Sequence, residues 1–185
     1  MRANPSGHLP ITFPVDLAQT PHRELPGLGT PRGTPTTARY DEGAEVGYRW
    51  YAQQLLTSVY AFGHGLSYTT FAYSELEVSG GETITATFTV TNTGTVTGAD
   101  VPQVYLTDAA GDKRMRLLGF ARVELAPGAS RTVMDTADPR LLARIDGKAN
   151  QWRIAPGPYR VALGRSAGDP VLTAEAPLTA RVFGN

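Results

Sequence analysis

The chain has 185 residues, room for one medium domain with an appendage. Its 17 basic and 17 acidic residues cancel, which argues against nucleic acid or an anionic membrane surface as a partner, because both select a basic footprint. With no cysteine, disulfides, thiolate metal sites and a cysteine nucleophile are excluded, and no apolar run approaches the ~20 residues that a membrane helix needs.

The start, MRANPSGHLP, lacks the apolar core of a signal peptide. The chain is therefore expected not to enter a secretion pathway unaided, and to be part of something longer. Pro5, Pro10, Pro14, Pro21, Pro26, Pro31 and Pro35 crowd the first 35 residues, with Gly27, Gly29 and Gly33 among them. Proline fixes φ and removes a donor, so no long helix or central strand runs here. A short strand is predicted at LPITF. An extended loop is predicted over about residues 15 to 40, a length that suggests a segment laid against something else. Residues 45 to 56 carry a weak helical pattern that Gly47 and the run Tyr48, Trp50, Tyr51 undercut, so the reading there is irregular or strand-like. In YAFGHGLSYTTF, residues 60 to 71, four aromatics surround Gly63-His64-Gly65. The glycines allow positive φ or close passage of the backbone past a neighbour. Phe62, Tyr68 and Trp50 are the expected anchors of this seam.

From Phe71 onward the pattern is β. Ile84, Ala86, Phe88 and Val90 alternate with Thr83, Thr85, Thr87 and Thr89, the period of a half-buried strand. ADVPQVYLTD follows, with Pro102 implying a bulge or an edge. LLGFARVELAPG, SRTVMDT, NQWRIA, GPYRVALG and VLTAEAPLTARVF complete seven or eight short strands. DPRLLARID is predicted to hold one helical turn, capped by Asp138 with Pro139 in its first turn. Turn signals every ten residues or so predict a mainly β fold, an immunoglobulin or fibronectin type III-like antiparallel sandwich with a proline-rich N-terminal extension. The expected division is 1–70 and 71–185. The expected core is Leu76, Val78, Ile84, Phe88, Val90, Val104, Leu117, Phe120, Leu125, Trp152, Tyr159, Val161 and Leu163. Tyr159, in P-G-x-Y, is a candidate corner tyrosine.

The chemical motifs are few. GRSAG, residues 164 to 168, matches the G-x-S-x-G nucleophile elbow and follows a strand, making Ser166 a candidate nucleophile with His64 or His22 as base. The elbow also requires a helix next, whereas a strand is predicted, and no histidine follows Ser166; a hairpin turn is the favoured reading. His8, His22 and His64 lack metal-ligand spacing, and Asp108 with Asp112 supplies too few oxygens for a calcium loop. No phosphate-cradling motif and no cofactor signature is present. Trp50, Tyr51 and Trp152 could face a sugar, or equally be core or seam. Lys113, Arg114 and Arg116 form the one dense basic cluster, read as a solvated hairpin tip.

Six ordered segments carry a resemblance: SGHLPITFP, YDEGAEVGYRWY, FGHGLSYTTF, VTNTGTVTGADVPQVYL, LLGFARVELAPG and APGPYRVALGRS. Together they resemble the C-terminal end of glycoside hydrolase family 3, the β-glucosidase and β-xylosidase family. The resemblance implies that the first segment closes an α/β sandwich domain and that the later ones form a fibronectin type III-like domain. It also implies that the two carboxyl groups of a retaining glycosidase, about 5 Å apart, lie in preceding domains, so no catalytic residue is assigned here. The implied role is to brace the catalytic domains and shape the sugar cleft. Phe62 and His64 then become candidates for substrate contact, with Trp50 and Trp152 beside them. The implied partners are the missing catalytic domains, self-association through the exposed seam, or an oligosaccharide. Full-length relatives are implied to be often secreted or periplasmic. A small serine hydrolase using Ser166 and a free-standing carbohydrate-binding module are the alternatives.

Overall fold

The computed structural model describes residues 4–22 and 26–184. Part of the expected 15–40 loop, residues 23–25, lies outside them, as does the very start of the chain. Among the described residues there are twelve strands, two short α-helices and one 3-10 turn, Leu17–Gln19.

Threonine alternation builds the second strand as expected. In β2 (Thr85–Asn92) every second side chain is buried, with the threonines half exposed between them. It pairs with β1 (Phe71–Ser79) on one side and β7 (Ser130–Thr136) on the other, antiparallel in both cases. The opposing sheet has the order β11 (Asp169–Leu178), β10 (Gly157–Ser166), β4 (Gln103–Ala109), β5 (Asp112–Phe120). Between the two sheets lies one core. Phe88 and Val133 enter it from the first sheet, Val104, Leu106, Tyr159, Val161 and Leu163 from the second. Lesser sheets, β3 (Gly98–Asp100) with β6 (Val123–Leu125) and β8 (Arg144–Asp146), β9 (Gln151–Ile154) and β12 (Arg181–Phe183), finish the ends. The result is the predicted antiparallel β-sandwich.

Pro102 acts as expected of a residue with no donor. The ADVPQVYLTD run splits there into β3 and β4, which pair with different partners. Asp138 caps the four-residue helix α2 (Pro139–Leu142), its side chain accepting from the Arg140 amide, with proline in the first turn. The Tyr159 hydroxyl donates to the Ala155 carbonyl at 3.0 Å, the expected corner.

Several expectations need correction. Phe120 is not core but 63% exposed, and Leu117 is only half buried; Leu118 is the inward residue. A register shift in the β4–β5 ladder, where Val104 faces Gly119 but Tyr105 faces Leu117, leaves Leu118 as an extra residue and turns the end of the strand over. Residues 45–56 are not strand-like: Tyr48–Gln54 form helix α1, preceded by Gly47 at φ +58° and closed by Leu55 in the left-handed region. Arg144–Asp146, assigned to the helical turn, is strand β8. Arg114 and Arg116 are not a solvated tip. They lie within β5, and their guanidiniums donate to the Leu142 carbonyl (2.8 Å) and to those of Leu141 and Ala143 (3.3 Å each), clamping the end of α2. The tip itself is Ala110-Gly111, both at positive φ.

Gln103 through Leu106 are all buried in succession, as are Val161 through Gly164. Strands buried on both faces need a cover on each. The core covers one face. The N-terminal segment covers the other.

Candidate functional site

The covering segment is held as a narrow ribbon. Residues 8–13 run antiparallel to 59–65, with Leu9 N donating to His64 O and Phe13 N to Tyr60 O, each at 2.8 Å. LPITF thus pairs as an isolated pair of bridges rather than as a full strand. Farther along, Gln19 ties the loop down: its Oε1 accepts from Val15 N at 2.8 Å and its Nε2 donates to Thr57 O at 3.0 Å.

Gly63 is the point where ribbon meets sandwich. It is buried, with φ +83°, and a β-carbon there would overlap the Gln103 side-chain amide. That amide, 3% exposed, donates from Nε2 to the carbonyls of Gly63 (3.1 Å) and Arg165 (3.0 Å). Its Oε1 accepts from the Tyr105 hydroxyl. The Gly63 carbonyl also accepts from His8 Nδ1 at 2.5 Å. His8 Nε2 lies 4.0 Å from Asp100 Oδ1, and Asp100 accepts from the Tyr73 hydroxyl at 2.6 Å. Burial, then the Asp100 charge, pushes the Tyr73 phenol well above its usual range, and burial does the same to Tyr105. Both hydroxyls are therefore fixed donors, not acid–base groups. Gly65 has ordinary φ, but the His8 ring would lie 2.9 Å from a β-carbon there. The glycine expectation holds: one glycine supplies positive φ and close passage, the other close passage alone.

A second buried amide completes the seam. Asn92 accepts from the Thr69 hydroxyl (2.7 Å) and the Gly94 amide (3.0 Å), and donates to the carbonyls of Val96 and Leu125, both at 2.9 Å. Neither Gln103 nor Asn92 was singled out from the sequence. Their position in VPQVYL and VTNTG gave only the hint of a polar residue flanking or ending a strand.

The aromatic expectations divide. Phe62 stacks on Tyr48 with centroids 4.7 Å apart, and Tyr48 meets Tyr105 at 5.9 Å. Tyr48 also accepts from the Leu117 amide at 3.0 Å. Phe62 is thus a seam anchor. Trp50 is half buried on α1. Tyr68 is not an anchor; it is 71% exposed. Trp152 sits on β9, packed against the sandwich core at the opposite pairing of Phe183.

Two clefts flank the seam. One is lined by Tyr48, Tyr51, Ser58, Phe62, Ser166 and Asp169. The other is lined by His8, His64, Ser67, Asp100, Arg165 and Ser166. The structure therefore brings Ser166 and His64 to one cleft, yet no hydrogen bond joins them among the described residues. Ser166 ends β10, and β11 begins at Asp169. GRSAG is a hairpin turn between two strands, not a strand-to-helix elbow, and Arg165 pairs across it with Asp169 at 3.0 Å. Trp50 and Trp152 line neither cleft.

The fold and the seam define a fibronectin type III-like sandwich carrying a long N-terminal wrap. A family model described as "Fibronectin type III-like domain" matches residues 100–167. The chain is 42% identical over 174 residues to "Probable beta-glucosidase K" of Emericella nidulans, covering 91% of this chain and 20% of that protein. It is 37% identical to "Thermostable beta-glucosidase B" of Acetivibrio thermocellus, over 91% of this chain and 23% of the relative. Among solved structures, "beta-glucosidase 3B from Thermotoga neapolitana in complex with alpha-D-glucose" superposes with a TM-score of 0.86 at 37% identity, over 98% of this chain and 26% of that one. The chain matches the C-terminal region of glycoside hydrolase family 3 β-glucosidases, fibronectin type III-like domain included. It spans about a fifth to a quarter of the length of these relatives.

Proposed function

We propose that the chain serves as the non-catalytic bracing region of a β-glucosidase, with residues 1–70 reaching toward the catalytic domains and residues 71–185 as the rigid block behind them. The observation that carries this reading is the placement of exposed apolar side chains. Of the eighteen large hydrophobic residues exposed among those described, thirteen precede Phe71, Ile11, Leu17, Leu55 and Leu66 among them. The ordered sandwich needs no such surface. A segment that meets another domain does. The ribbon's edge fits the same role: Pro10 and Pro14 directly follow the paired Leu9 and Phe13, which leaves the outer edge short of donors and unsuited to pairing with a stray strand.

A graft tests the proposal. This chain, exchanged for the matching region of the Thermotoga neapolitana enzyme, should give a folded chimera that hydrolyses nitrophenyl β-glucoside, whereas the purified chain alone should show no turnover above background. A chimera that folds only when the sandwich is left out, or turnover by the chain alone that is lost on mutating one of its carboxylates, sinks the reading.

A contact with sugar at the seam is favoured by one specific arrangement. Phe62 and His64 each line a cleft that also holds hydroxyl and carboxylate groups, the combination that sugar sites use. Calorimetry with cellobiose checks it: binding that Phe62→Ala abolishes without lowering the melting temperature makes the seam a ligand platform.

A further inference from the structure

The seam and its clefts use few of the chain's cations. A separate group of them gathers where α1 crosses β5. Arg49 comes from α1, Lys113, Arg114 and Arg116 from β5, and Arg144 from β8. Two carboxylates stand among them, Glu45 and Asp112. Asp112 is already shared, pairing with Arg144 and lying 3.6 Å from Arg114 Nε. Five positive charges thus face two negative ones in a chain whose net charge is zero.

The cluster is held rigidly, which matters for binding. Arg114 and Arg116 are fixed by the α2 carbonyls. Arg49 lies over the Tyr48 ring at 5.9 Å, and one of its nitrogens donates to Ala44 O. Lys113 makes no ion pair among the described residues. Burial first, and then neighbouring like charges, lowers both strand arginines below their ordinary range: Arg116 feels Arg49, and Arg114 feels Arg116 and Arg144. Asp112 beside Arg114 and Glu45 near Arg116 offset only part of this positive charge.

Three of the five, Arg49, Lys113 and Arg114, line a cavity. Between α1 and β5 opens a cleft of about 440 Å³ whose walls include Arg49, Lys113, Arg114, Gln53 and Glu45, with Ala52, Leu55 and Met115 as apolar wall. That volume suits a small molecule. Arg49 from α1 and Lys113 from β5 suit an oxyanion, because guanidinium presents paired N–H donors to two oxygens and lysine adds a point charge; Arg114 at the wall, held by the Leu142 carbonyl and beside Asp112, adds only its field. We propose that this cleft binds a small oxyanion of charge two or more, a phosphate, a sulfate or a dicarboxylate. The ligand would relieve the repulsion across α1 and β5 and lock the wrap onto the sandwich. This inference is independent of the bracing role, since it concerns a cleft within the chain itself.

Inorganic phosphate and malonate, titrated separately against chloride at matched ionic strength, test it by thermal unfolding and calorimetry. Binding to the folded state must raise the melting temperature saturably. Lys113→Gln, at an exposed position with no ion pair among the described residues, should weaken binding roughly tenfold while leaving the melting temperature in chloride unchanged. Gln53→Glu should raise the melting temperature in chloride and blunt the response to either anion, because it supplies the missing negative charge from the protein. A response to phosphate alone assigns the site to tetrahedral oxyanions, and one to malonate alone to carboxylates. A rise that does not saturate and is equal in the parent and Lys113→Gln is a general salt effect and overturns the proposal, as does no rise with either anion.

Discussion

Gly63 shows how much one missing β-carbon can carry. Its φ of +83° strains any other residue, and the space a methyl group would take belongs to the Gln103 amide. That amide cannot move aside without releasing its bonds to Gly63, Arg165 and Tyr105. Gly63→Ala should therefore cost roughly 2–4 kcal/mol, the sum of backbone strain and overpacking. Gly65→Ala should cost less, because its φ is ordinary and the His8 ring can shift a few tenths of an ångström. Urea unfolding of the two variants measures the difference, and equal costs would remove the role given to Gln103. Asp135 tests a different balance. Its carboxyl packs over Gly119 across the open side of the sandwich, and burial raises its pKa above 3.8. A carboxyl raised in the folded state favours folding below its unfolded pKa and loses that contribution as pH rises through the folded value. Asp135→Asn should thus melt above the parent at pH 7, and the two should converge as pH falls toward 4. Melting curves across that range decide it; a variant that is less stable at pH 7 would mean that the charge is compensated.

At the scale of elements, the legible parts of the fold were those set by local pattern. β2 alternates in sequence and alternates in burial. Pro102 interrupts a strand because it lacks a donor, and Asp138-Pro139 starts a helical turn for reasons contained in two residues. The illegible parts depend on distant partners. α1 was hidden by Gly47 and three aromatics, residues of modest helix propensity, and forms because Tyr48 docks on Phe62 and Tyr105. Gly63 and Gly65 announced a close passage, yet what they pass, Gln103 and His8, lies 40 and 57 residues away in the chain. Phe120 was misplaced because a bulge leaves no mark in hydrophobicity: FARVEL reads the same with or without an extra residue before it. The bulge yields its own prediction. Leu118→Ala should cost about 2–4 kcal/mol as a core cavity, while Phe120→Ser, at the exposed end of β5, should stay within about 0.5 kcal/mol. Chemical denaturation of both variants is the check. A large loss at Phe120 would restore the regular strand and its predicted core.

For the molecule as a whole, the two halves obey different balances. The sandwich buries its apolar residues between sheets, and its few exposed ones, such as Met134 and Ile145, are scattered on separate strands. The wrap instead spends Phe62 and Tyr48 on the sandwich, through Tyr105, and leaves Ile11, Leu17, Leu55 and Leu66 facing outward. Such surface removed from water is worth about 25 cal/mol per Å², enough for copies of the chain to find each other when no other domain covers it. The isolated chain should therefore self-associate with rising concentration, through the wrap and not through sheet edges. Leu55 is the sharpest probe: it is 91% exposed, so Leu55→Glu removes nothing from the fold. Combined with Leu66→Glu it should shift the chain toward monomer in sedimentation velocity, with the melting temperature held. Met134→Lys, on β7 of the sandwich, should leave association as it was. If instead Met134→Lys dissolves the assembly and the leucine pair does not, the copies meet through the sandwich edge, and the wrap's apolar residues have some other purpose. If the chain stays monomeric at every concentration reached, the outward leucines are scattered rather than joined, and the bracing surface must be sought elsewhere.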